Sequence, residues 1–72
     1  MSDLFNFYKG RIEACPSYGF KSGEELLAHI HACAYASANF GELTPAEFSS
    51  IINLCEQAHI KMMEDDYNAG WN

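Results

Sequence analysis

Four independent helix-start signals coincide in Leu43-Thr44-Pro45-Ala46-Glu47-Phe48, and they constrain the fold more than any other stretch of this chain. Thr44 is placed as the N-cap, and Pro45 takes the first helical position, where its missing N–H costs nothing. Glu47 lies three residues beyond the cap and can return a hydrogen bond to it, while Leu43 and Phe48 form a hydrophobic staple across it. From there Phe48, Ile51, Ile52, Cys55, His59 and Met62 recur at steps of three and four, the apolar stripe of an amphipathic helix. The pattern predicts a helix over 45–66, followed by a short C-terminal tail, 67–72.

A second capping box, Ser22-Gly23-Glu24-Glu25, predicts a helix over 23–39, which Gly41 ends in the left-handed conformation. Its main stripe is Leu26, Leu27, Ile30, Cys33, Ala34 and Ser37. Ala28, Ala32 and Ala36 form a second stripe of small residues that would let another helix approach closely. The expected neighbour is an N-terminal helix over 3–15, capped by Ser2 and ended by Pro16, with Leu4, Phe5, Tyr8, Ile12 and Cys15 on one face. Gly10 lies inside that helix at a cost of about 1 kcal/mol relative to Ala. The aromatics of the connection, Tyr18 and Phe20, are expected to fold back over the core. The short link from Phe40 to Thr44 makes the second and third helices antiparallel neighbours. The expected fold is therefore all-α: residues 1–72 form one compact three-helix bundle built on an antiparallel helical hairpin.

Seventy-two residues make one domain at most and cannot enclose a deep catalytic cleft. Ten acids against four bases give a net charge of -6, which repels phosphate backbones and anionic bilayers. Direct binding of nucleic acid is not expected. The acids Glu13, Glu24, Glu25, Glu42, Glu47 and Glu56 are spread around the bundle and form no phosphate-spaced ladder. Hydrophobic residues at 49% exclude a disordered tail. Three cysteines, an odd number, favour free thiols and a reducing cytoplasm over a disulfide framework. Met1-Ser2-Asp3 has no basic region leading into an apolar stretch, so a signal peptide is not expected, and no apolar run approaches the roughly 20 residues that span a bilayer.

Two constellations carry possible chemistry. His29 and Cys33 are four apart on the second helix, and Cys55 and His59 four apart on the third, in the mirror order an antiparallel hairpin requires. With the hairpin centred near Thr44, the four would close a tetrahedral zinc site. The alternative is that the cysteines simply pack in the core, where Cys is commonly buried. No nucleophile, base and orienting group fall into a recognisable catalytic pattern, so an enzyme is not expected.

The other constellation is Glu64, Asp65 and Asp66, which crowd the C-terminal turn, where the helix dipole is already negative and each acid is unfavourable by roughly 0.3–1 kcal/mol. Breaking a local rule in this way is typical of functional surfaces. Tyr67 and Trp71 follow as aromatic anchors. Together these five residues are the expected contact surface for another protein with a basic surface.

At Gly41-Glu42-Leu43-Thr44-Pro45-Ala46-Glu47-Phe48 the chain resembles the Gly-x-Leu-Thr-x-x-Glu-Phe turn-and-cap of many short helical hairpins, including short C-terminal oligomerisation domains of bacterial proteins. In size, acidity and all-helical patterning the whole chain is similar to phage-encoded accessory proteins of the anti-CRISPR type. The resemblance implies an inhibitor that binds a host protein stoichiometrically and covers its basic, nucleic-acid-binding surface. The competing expectation is a helical oligomerisation module, a homodimer paired through its alanine stripe, with or without zinc.

Overall fold

The computed structural model describes the backbone of residues 2–70 and the side chains of residues 2–68. Three helices form the bundle: α1 (Asp3–Ala14), α2 (Phe20–Asn39) and α3 (Pro45–Gly70), with a 3-10 turn, Cys15–Tyr18, between the first two. They run up, down and up, so α1 and α3 are parallel and α2 is antiparallel to both. The 26 residues of α3 span about 39 Å at 1.5 Å per residue and set the long axis of a body measuring 45 × 17 × 15 Å.

The caps anticipated at the hairpin are all present. The Thr44 N–H donates to Glu47 Oε1 at 3.0 Å, and the Glu47 N–H donates to Thr44 Oγ1 at 3.1 Å. At the end of α2, Gly41 adopts φ 78°, where a side chain would be strained. The Glu42 N–H then bonds to the Ser37 carbonyl and the Gly41 N–H to the Ala38 carbonyl, a Schellman closure. Ser2 caps α1, its hydroxyl accepting from the Phe5 N–H at 3.2 Å.

The core is continuous from the hairpin end to Met62. Phe5, Tyr8, Ile12 and Cys15 meet Leu27, Ile30 and Ala34 of α2 and Ile51, Cys55, Ala58 and Met62 of α3, with Leu43 closing the hairpin end. Ser37, the one polar member of the α2 stripe, is buried against the Tyr8 hydroxyl at 2.8 Å. Among the described residues no buried side-chain polar atom lacks a hydrogen-bond partner, as a stable interior requires.

Several expectations are corrected. The second helix begins at Phe20, not at residue 23, and Ser22 is not its cap; Gly19, at φ 86°, takes that position without a side-chain hydrogen bond. Packing overrides the local signal here. A Cβ on Gly23 would stand 2.6 Å from the Cys15 carbonyl oxygen and would also strike Met62 Sδ. Glycine at 23 is thus what lets the first turn of α2 lie against the 3-10 turn. That turn also takes Cys15 out of α1, which ends at Ala14.

The alanine stripe is not the α1 contact: Ala28, Ala32 and Ala36 are exposed, and α1 docks on the main stripe that also faces α3. Tyr18 and Phe20 do not cover the core, being 59% and 40% exposed. Residues 67–70, expected as a tail, continue α3 as helix. Among the described residues no helix is long and apolar enough to cross a membrane.

Candidate interaction surface

Two pairs of residues fix the register of the hairpin. The rings of Tyr35 and Phe48 meet edge to face with centroids 6.1 Å apart, and His59 Nδ1 contacts Glu24 Oε1. Both pairs centre the hairpin between Gly41 and Glu42, not at Thr44. That shift decides the fate of the proposed zinc quartet. Cys33 Sγ lies 3.6 Å from His29 Nε2 within α2, while His59 pairs with Glu24 and not with His29.

Cys55, 6% exposed, turns into the core toward Cys15, which is fully buried. Burial, reinforced by the nearby Cys15 thiol, pushes the Cys55 thiol up to about 11. Burial likewise raises Cys15, partly opposed by the Arg11 charge. Among the described residues no three His, Cys, Asp or Glu groups are arranged to hold a metal ion. The Cys33 and Cys55 thiols belong to different environments, and the quartet does not assemble.

The acidic end of α3 is the more distinctive surface. Every described side chain from Met63 to Asn68 is exposed, so Glu64, Asp65, Asp66 and Tyr67 stand on a helical stretch that contributes nothing to the core. Lys61 reaches Asp65 at 3.8 Å, one turn away, a half-exposed pair of small energetic weight. Asp65 and Asp66 border a depression formed with Pro16, Gly19, Phe20 and Met62. Trp71 lies outside the described residues. Sequence reasoning missed two members of this surface. Ile60 and Met63 are 46% and 50% exposed and share one stripe with Tyr67, 63% exposed. Their spacing of three and four was legible, but only the bundle shows that this stripe faces away from the core.

Between α2 and α3 runs an open groove of about 350 Å³. Its floor is apolar, from Leu27, Ala28, Ile52 and Cys55, and its walls carry Glu24, His31, Glu56 and His59. Small Ala28 is what makes this a groove and not a filled ridge. At the hairpin end a second hollow, of about 550 Å³, is lined by Tyr35, Leu43, Pro45 and Phe48, and Phe40 in the adjoining turn is 82% exposed. On α1, exposed Phe7 is covered by the Arg11 guanidinium, 5.6 Å from the ring centroid.

No family model matches this chain, and neither does any curated protein or solved structure.

Proposed function

We propose that this chain is a small acidic protein-interaction module, an inhibitor of the anti-CRISPR or other anti-defence type. It binds a host protein stoichiometrically in the cytoplasm and masks a basic, nucleic-acid-binding surface. The observation that carries this reading is the end of α3, where Ile60, Met63 and Tyr67 stand exposed on one stripe beside Glu64, Asp65 and Asp66. Apolar side chains held in water at helical spacing gain about 25 cal/mol per Å² when a partner covers them. Acids beside them repel nucleic acid, attract a basic protein surface and speed its approach. A net charge of -6 extends that preference over the whole molecule.

Native mass spectrometry of the chain, purified gently from its own cells, tests the reading. The expected species is a one-to-one complex with a larger basic protein, lost when the chain ends at Met63, and the freed partner should regain nucleic-acid binding. A bare monomer overturns it.

A second reading has its own observation. The stripe Ala28, Ala32 and Ala36 is exposed on the outer side of α2, where a second copy of the chain would approach closely as an oligomerisation module. A doubled mass that falls on dilution favours this reading over the inhibitor.

A further inference from the structure

Resting on the interaction reading above, we propose that the α2–α3 groove and the exposed end of α3 form one continuous track that receives a basic amphipathic helix of the partner protein. Along α3, Ile52, Glu56, Ile60, Met63 and Tyr67 follow one another at steps of four, four, three and four, a single face of the helix. Past His59 the same face of α3 carries the exposed apolar stripe onward from the groove. From Ile52 to Tyr67 the track is about 22 Å long, the length of a helix of about four turns.

Its chemistry is equally one-sided. The floor is apolar, Glu56 and Glu24, the latter in contact with His59 Nδ1, stand in the groove walls, and no Lys or Arg lines it. Further along, Glu64 shares a surface with Met63 and Tyr67, and Asp66 flanks the same stripe on the opposite side. Lys61 points elsewhere, into a depression with Ile12 and Pro16. An apolar floor between acidic rims is the complement of a helix with an apolar face flanked by Lys and Arg. A second copy of this chain fits worse, because two bodies of charge -6 would bring acidic rims together.

The test uses the full chain, 15N-labelled, titrated with a synthetic amphipathic Leu/Lys peptide of about four helical turns. The expected result is saturable one-to-one binding, with amide shifts at Ala28, Ile52, Glu56, Ile60 and Met63 and none along the exposed face of α1. Exchanging Glu24 and Glu56 together for Gln should weaken binding about tenfold, the loss of two partly exposed ion pairs. Ala28→Tyr, which fills the groove from an exposed position and leaves the core intact, should abolish the shifts on Ile52 and Glu56. Equal affinity for a scrambled peptide of the same composition overturns the proposal, as do shifts centred on another face. If Ala28→Tyr keeps its cellular partner while the chain ending at Met63 loses it, the track is wrong and the interaction reading stands. If the chain ending at Met63 keeps the partner too, both are wrong.

Discussion

Glu47 sits at the start of two helices at once. It closes the α3 capping box, and its second carboxylate oxygen accepts from the Ser2 N–H at 2.9 Å and the Ser2 hydroxyl at 2.7 Å, the residue that caps α1. The positive ends of two helix dipoles thus meet at one carboxylate. These hydrogen bonds, the Thr44 N–H foremost and then the two from Ser2, hold its carboxyl at about 2, against an ordinary 4.5. Between those values the unfolded chain binds a proton that the folded chain refuses. Stability conferred by Glu47 is therefore complete above pH 4.5 and drains away as pH falls toward 2. Glu47→Gln should lower the melting temperature at pH 7 and flatten its dependence on pH in that window, as followed by circular dichroism; an unchanged slope would refute the double cap.

Two glycines make a sharper comparison. Gly10 has nothing within 4 Å of an added Cβ, so Gly10→Ala should stabilise α1 by about 0.5–1 kcal/mol. Gly23→Ala places the same methyl against the Cys15 carbonyl and should instead destabilise by about 1–3 kcal/mol. Urea denaturation of the two variants reads both signs. Sequence anticipated the local half of this residue-scale chemistry. Thr44 and Glu47 announce each other across three positions, whereas the bond from Ser2, 45 residues away, and the Cys15–Gly23 approach depend on how the helices come together.

At the scale of elements, the apolar stripes foretold which faces would be buried. Phe5, Tyr8 and Ile12 in α1, Leu27, Ile30 and Ala34 in α2, and Ile51, Cys55 and Met62 in α3 are all in the core. Periodicity is a property of one helix, and so it was legible. Register is a property of two, and His29, Cys33, Cys55 and His59 make a cluster only if the hairpin is centred near Thr44, one or two residues later than the caps themselves place the turn. The actual centre places His59 against Glu24. The groove was invisible for the same reason, because its walls come from different helices.

The far end of α3 was misjudged in another way. The sequence pattern ended the helix at about residue 66 and left 67–72 as a tail, yet the helix continues to Gly70. Met62 is the last described residue of α3 that the core holds. A chain ending at Met63 should consequently melt within about 4 °C of the full chain, the equivalent of about 0.5 kcal/mol, as differential scanning calorimetry would record. A larger loss would mean that the extension supports the bundle and is not reserved for a partner.

For the whole molecule the order of assembly matters as much as the contacts. α2 and α3 are joined by a tight turn and zip along a uniform register, so their pairing closes short loops. α1 lies parallel to α3, so its contacts there close long loops, and the bonds from its cap Ser2 to Glu47 span 45 residues. Detaching α1 removes Phe5, Tyr8 and Ile12 from the core but leaves the α2–α3 turn and the Thr44–Glu47 capping box in place. Opening in this bundle should consequently be hierarchical and not all-or-none. Native-state hydrogen exchange should find the amides of α1 released by a lower-energy opening than those around Ile30 and Ile51, and uniform protection across the three helices would contradict it. The clasp between Ser2 and Glu47 is then a latch on the first helix to leave, and loosening it by acid would be felt as reduced exchange protection in α1, relative to the intrinsic rate at that pH, before any loss of overall helicity.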